Sequence, residues 1–266
     1  MKQLTKILVS VAGVAAICVS SVTLGGCGSR KESITVSGSS SVTPIMEKLA
    51  AEYEKTHDVR ITINMSSSGA GISDAQNGLN DFGMSSRELK ESETGIVGKT
   101  LCMDGIALIV GKTCAVTDVS KSEIKALYES GRAIPNTSIT AAIGRDASSG
   151  TRTAFDELLG IERGYDQSVA TLAETGNVIE AIQSTTNSIG YISYGSLNDT
   201  VKAVSLDGVA CSVENITNKT YALQRPFVIV LKEGGTLSAA AQGFYDYIMS
   251  AEAQTVITAN GYISVN

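Results

Sequence analysis

The chain has 266 residues, of which 43% are hydrophobic and 18% charged, the make-up of a globular protein with room for two modest domains or one large one. Aromatic residues are 5% and tryptophan is absent, which disfavours stacking platforms for sugars or single-stranded nucleic acid. A net charge of −6 with no basic stripe excludes a nucleic-acid binder, so any anion site has to be local.

The chain opens on "MKQLTK", an apolar stretch "ILVSVAGVAAICVSSVTL" and then "GGC". A positive start, a hydrophobic stretch and small residues before a break predict a secretory signal peptide over residues 1–26. A membrane span fits less well: the stretch is at the short limit of the roughly 20 residues needed, and Ser, Thr and Gly dilute its second half. Without residues 1–26, which carry Lys2 and Lys6 but no acid, 21 − 2 = 19 basic residues face 27 acidic ones, a charge of −8. "LGGC", Leu24 to Cys27, resembles the lipobox of bacterial lipoproteins. That resemblance implies lipidation of Cys27, a membrane anchor through acyl chains, and a short polar tether at 27–32. Three further cysteines, Cys102, Cys114 and Cys211, follow in no zinc-like spacing; one disulfide plus a free thiol and three buried thiols are both open.

Strand-like and helix-like runs then alternate, the α/β pattern. "SITVSG" reads as a strand, "TPIMEKLAAEYEKTH" as a helix with Pro44 in its first turn, and "VRITINMSSSG" as a strand entering a Ser-Gly turn before the helix "GISDAQNG". "DFGMSS" reads as a short strand, "DGIALIVG" as a buried one, and "SKSEIKALYESG" as a helix with a Ser cap and a Gly stop. The alternation restarts with strand "SITAAIG", helices "TRTAFDELLG" and "GNVIEAIQST", and strand "SIGYISYG". Strand "RPFVIVLK" and one long helical region over "LSAAAQGFYDYIMSAEAQTVITANG" complete it.

Three turns are alike: "SGSSSVTP" (37–44), "SSSGAG" (66–71) and "RDASSGTR" (145–152). Each follows an expected strand and precedes an expected helix, at the strand ends where open α/β sheets hold ligands. Helix N-termini offer unpaired N–H groups and partial positive charge, glycine admits a ligand close to the backbone, and Arg145 adds a planar charged fork. Taken singly, each turn also reads as ordinary helix capping. Three together, one with an arginine, point equally to a site for a tetrahedral oxyanion.

Over almost the whole mature length the sequence resembles the phosphate-binding protein of bacterial phosphate ABC transporters. The resemblance is carried by "GSSSVTPIMEKLAAEY", "SSSGAGISDAQNG", "DFGMSSRELK", "DGIALIV", "GRDASSGTRTAF", "GNVIEAIQSTTNSIGYISYG", "RPFVIVLK" and "SAEAQTVITANGYISV", in order and at matching spacing. It implies an α/β, two-lobed periplasmic-binding-protein fold of type II, with the ligand cleft between lobes joined by two crossing strands. "DGIALIV" and "LQRPFVIV" are the expected crossings, giving lobe 1 as residues 33–109 plus 225–266 and lobe 2 as 110–224. The implied function is extracytoplasmic capture of inorganic phosphate and delivery to permease subunits, by a monomeric lipid-anchored receptor that is no enzyme and needs no cofactor or metal.

The resemblance implies phosphate-binding roles for Ser40 and Ser41 in the first turn, Ser67 in the second with Ser68 beside it, and Arg145, Ser149, Gly150 and Thr151 in the third. It also implies one for Ser86, where some members place an aspartate. A carboxylate there accepts phosphate's proton and repels sulfate, which has none to share. With serine at 86, Asp146 is a candidate replacement acceptor, or else orients Arg145 or caps the helix. The rival readings are a receptor for sulfate, molybdate or another oxyanion and a Ser-dependent phosphoester hydrolase. The hydrolase would have to use His57, the only histidine, which sits in the polar run "EKTHD", and no G-x-S-x-G elbow is present.

Overall fold

Ile34 and Val36 lie in β1 (Glu32–Ser39) of the computed structural model, which describes residues 31–265. The chain then turns into α1 (Thr43–Glu54), where Pro44 occupies the first turn and Ile45, Met46, Leu49 and Tyr53 are buried. After β2 (Val59–Ser66), α2 (Ser68–Asn77) and β3 (Phe82–Ser85), β1 lies parallel to both β2 and β3, with Val36 opposite Ile63 and Phe82. Parallel pairing places the strand-to-helix turns at one end of the sheet.

β4 (Ile96–Gly111) begins well before the expected Asp104, because its first half mixes exposed and buried positions while only its second half is continuously buried. β5 (Asp118–Val119) leads to α3 (Lys121–Ser130), opened by a capping box of Ser120 and Glu123 and closed by Gly131 at φ 62°. β6 (Ala141–Arg145), α4 (Gly150–Leu159), β7 (Ala170–Leu172), α5 (Thr175–Ser184), β8 (Ser188–Ser193), β9 (Val201–Leu206) and α6 (Val213–Thr217) follow. β10 (Gln224–Lys232), α7 (Ala239–Ile248) and α8 (Ala251–Ala259) end the described chain. The long C-terminal helical region is thus two helices: Ser250 breaks it by capping α8 through the Ala253 N–H at 3.3 Å.

The ten strands form one curled sheet in the order β2-β1-β3-β10-β4-β8-β6-β7, with β9 beside β4 and β5. The first half of β4 pairs antiparallel with β10, and its second half, from Ile106, pairs with β8 and β9. One strand therefore serves two lobes, each with its own core. Ile34, Ile45, Leu49, Phe82, Phe227 and Phe244 fill the first, while Leu108, Tyr128, Phe155, Ile182, Ile192 and Val204 fill the second. Each such side chain, fully buried, contributes about 1.5–3 kcal/mol.

Around the first core, glycine brings the strand-to-helix turns together. A Cβ on Gly71 would lie 2.6 Å from the Ser37 carbonyl oxygen, and one on Gly83 would lie 2.5 Å from the Gly71 carbonyl oxygen. The start of α2 therefore rests on the backbones of β1 and β3, closer than any side chain would permit.

The expected signal peptide and Cys27 lie outside the described residues. Cys102, Cys114 and Cys211 are free thiols, the first and last buried. Among the described residues, no helix is long and apolar enough to cross a membrane, and no group of three His, Cys, Asp or Glu side chains is placed to hold a metal ion.

Candidate functional site

Four strand-to-helix turns meet where the lobes touch, and their local chemistry separates capping from function. Ser67 caps α2 by accepting from the Ala70 N–H, and Ser149 caps α4 by accepting from the Arg152 N–H. In the first turn the N-cap is Val42, whose side chain cannot accept a hydrogen bond, and α1 has no side-chain cap, so the hydroxyls of Ser40 and Ser41 are not used on the helix. Ser68, at the first residue of α2, likewise turns its hydroxyl away from capping, accepting the Ser86 N–H at 3.0 Å. Capping accounts for one serine in each of two turns and for none in the first.

The remaining hydroxyls converge. Ser41 Oγ lies 2.9 Å from Thr151 Oγ1 and 3.3 Å from Thr175 Oγ1, and Ser40 Oγ lies 3.2 Å from Thr175 Oγ1. Thr151 Oγ1 is 3.4 Å from Ser86 Oγ, which is 3.2 Å from Ser68 Oγ. Ser40, Ser41 and Ser86 flank elements of the first core and Ser68 opens α2 beside them, whereas Thr151 and Thr175 open helices of the second core. All six are buried, and each hydroxyl can donate or accept. Five of them stand at or beside the first turns of α1, α2, α4 and α5, so four positive helix ends face the same spot, and Ser86 joins them from the loop after β3.

Arg145 ends β6 beside them and is 2% exposed. Its Nη2 donates to Ser40 Oγ at 3.1 Å and to the Ala173 carbonyl at 2.6 Å, Nη1 to Thr175 Oγ1 at 3.2 Å, and Nε to the Leu172 carbonyl at 3.3 Å. Every one of these acceptors is a neutral oxygen. Burial lowers the Arg145 pKa from its ordinary value, and the nearby Arg225 pushes the same way; Tyr191, Asp146 and Glu174 oppose them. The Arg145 backbone is fixed as well: its N–H donates to Tyr191 Oη at 3.1 Å, and its carbonyl accepts from Arg152 Nη1 at 3.1 Å.

Of the residues expected from sequence, Ser40, Ser41, Ser86, Arg145 and Thr151 come together with their side chains in one cluster. Gly150 is part of its wall, with room for no Cβ: one would lie 2.2 Å from Ser68 Oγ. The Ser67 hydroxyl and the Ser149 hydroxyl serve as caps. The Asp146 carboxylate, on the half-exposed rim, accepts from the Ser148 N–H at 2.9 Å and its hydroxyl at 2.6 Å. Sequence reasoning missed Thr175, although "TGNVIEA" repeats the hydroxyl-then-glycine opening of "SGAGI" and "SGTRT". It also missed Arg225 and Asp104, buried partners on β10 and β4.

Such a site can hold an anion with several oxygens by hydroxyls, N–H groups and one fixed cation. It has no base placed for proton abstraction. His57 stacks on Tyr53 with ring centroids 3.8 Å apart, beyond the C-terminal end of α1. The helix alone separates it from the first turn by about 18 Å.

Comparison with known proteins fits this geometry. The profile of the PBP superfamily domain matches residues 26–252. Phosphate-binding protein PstS 2 of Streptococcus agalactiae is 38% identical over 133 residues, 47% of this chain but only 45% of that relative, so the match spans less than half its length. Phosphate-binding protein PstS of Bacillus subtilis is 30% identical over 88% of this chain and 81% of its own. Among solved structures, a phosphate ABC transporter substrate-binding chain from Clostridium perfringens, crystallised with bound phosphate, superposes with a TM-score of 0.83 at 36% identity, over 88% of this chain and all of that one. The profile match and the length of the Bacillus alignment place this chain in the phosphate-binding protein family of the PBP superfamily.

Proposed function

We propose that the protein captures inorganic phosphate outside the cytoplasm and passes it to the permease of an ABC transporter, closing its two lobes around the anion. The observation that carries this reading is Arg145: a buried guanidinium whose hydrogen bonds all go to neutral oxygens, set among six hydroxyls. A buried cation without a carboxylate is costly, and an oxyanion in its fork would offset that cost. The binding set is Ser40, Ser41, Ser68, Ser86, Arg145, Thr151 and Thr175, with N–H groups from the turns that Ser67, Ser149 and Gly150 shape. A micromolar site requires about 8 kcal/mol. Hydrogen bonds to a charged group contribute about 1.5–3 kcal/mol each, so six to eight of them suffice after desolvation and closure costs. No bond is made or broken in this role.

The lobes we assign are residues 33–109 plus 225–266 and residues 110–224. The two separate cores support a two-lobed division but move its first boundary: the change of core on β4 falls between Cys102 and Ile106, so residues 106–109 pack with lobe 2. Calorimetric titration of the purified, ligand-stripped protein tests the reading. Phosphate is expected to bind at micromolar affinity or tighter, and sulfate at least tenfold more weakly; no heat with phosphate would overturn it.

The "LGGC" run supports anchoring through a lipid on Cys27, with the tether ending one residue earlier than expected because Glu32 already pairs with Val59 in β1, and the protein monomeric on the outer face of the membrane. Cys27→Ser is expected to shift the protein from the membrane fraction to the soluble one and to abolish labelling by a fatty-acid probe. Labelling that persisted in the variant would remove the anchor.

A further inference from the structure

A second arginine stands behind the cluster. Arg225 on β10 and Asp104 on β4 are register partners at the point where the chain crosses between lobes, and they are 2% and 1% exposed. Arg225 Nη2 and Nε donate to Asp104 Oδ2 at 3.1 and 3.3 Å, while Asp104 Oδ1 accepts from Ser193 Oγ, at the end of β8, at 3.0 Å. Arg225 Nη1 is turned the other way and donates to the Ser86 carbonyl at 3.1 Å. The pair therefore has a direction: its cationic end points to Ser86 and the hydroxyl cluster, its anionic end to lobe 2 at the crossing.

We propose that Arg225 is a positioning residue of the anion site, holding Ser86 by its carbonyl and adding a fixed positive charge behind it, with Asp104 setting how much of that charge the anion feels. The inference rests on the phosphate reading. Ser86 lies on the loop that follows β3, and its N–H and hydroxyl are both joined to Ser68. Fixing its carbonyl from behind determines where those two groups point. Arg87, next in the chain, is engaged elsewhere, in a bidentate pair with Glu93 at 2.6 and 2.8 Å that leaves Arg225 as the cation facing the cluster from this side. Burial of Arg225 costs solvation, which Asp104 offsets, so the charge persists in a place where it acts over a short range and little water screens it. Burial is the main cause of the lowered Arg145 pKa, and Arg225 adds to it in the same direction, so the charge of Arg225 reaches the cluster.

The structural alternative is a hinge pin, for which either half of the pair would matter equally. The two make opposite predictions for Asp104. Arg225→Gln is expected to weaken phosphate binding at least tenfold, with part of the loss recovered in Arg225→Lys. Asp104→Asn, which keeps an oxygen for Ser193 and frees the arginine's charge, is expected to tighten phosphate binding severalfold while the melting temperature of the ligand-free protein falls. A double variant, Asp104→Asn with Arg225→Met, removes both charges, avoids an unpaired buried ion, and is expected to lose affinity as Arg225→Gln does. Calorimetry with inorganic phosphate reads all four against the wild type. Weakening by Asp104→Asn comparable to that of Arg225→Gln, or wild-type affinity in the double variant, overturns the proposal. Absence of phosphate binding in the wild type itself overturns the functional reading first, and is told apart by that control.

Discussion

Arg145→Ala is expected to weaken phosphate binding by at least 100-fold, the largest loss from any single side-chain truncation in the site. The guanidinium contacts two hydroxyls of the cluster, Ser40 on lobe 1 and Thr175 on lobe 2, so it binds the lobes as well as the anion. Losing two charge-assisted hydrogen bonds at about 1.5–3 kcal/mol each corresponds to two to four decades in affinity. Arg145→Lys should recover little of it. A lysine keeps the charge but cannot address Leu172, Ala173, Ser40 and Thr175 at once from one planar group. Calorimetry reads the affinity, and circular dichroism confirms that the fold survives. An Arg145→Ala protein within threefold of the wild type would show that the cluster is not the phosphate site.

How much of this was legible in the sequence follows from the range of the interactions. Each strand-turn-helix unit is local, and its signals of Ser, Thr and Gly at fixed offsets predict β1–α1, β2–α2 and β6–α4 with ends that differ by up to three residues. Arg145 stood out because an arginine at a strand end before "SSGT" has no local structural use. Which serine of a pair faces the ligand is a different matter. On α2 the backbone rotation between Ser67 and Ser68 sends one hydroxyl to the cap and the next to the cluster, and both are the same residue type. Thr175 was hidden because a threonine opening a helix is ordinary, and only the folding of β6 and β7 side by side brings it to Arg145. Asp104 and Arg225 are 121 positions apart, and nothing short of the antiparallel register of β4 and β10 pairs them. What the sequence conceals is the part that belongs to topology.

Gly150→Ala is expected to weaken phosphate binding about 10- to 100-fold with little change in the stability of the ligand-free protein. Gly150 is the first residue of α4 in lobe 2, and a Cβ there would lie 2.2 Å from Ser68 Oγ, 2.7 Å from Ser68 Cβ and 3.0 Å from Ser86 Oγ, all in lobe 1. Rotating the Ser68 hydroxyl aside relieves the first contact but not the second, so the lobes must separate by several tenths of an ångström. Overpacking of this kind costs about 1–3 kcal/mol, which is one to two decades of affinity. Within lobe 2 alone the change is benign, because alanine at a helix start is better tolerated than glycine. The cost therefore falls on closure rather than on folding, and the two can be measured apart. Thermal melting without phosphate should change little, whereas small-angle scattering with phosphate should show less compaction than in the wild type. If Gly150→Ala bound phosphate at wild-type affinity and compacted fully, α4 would not approach Ser68 when the anion is held. Closure would then have to run through Thr175 and Ser40, on the other side of Arg145.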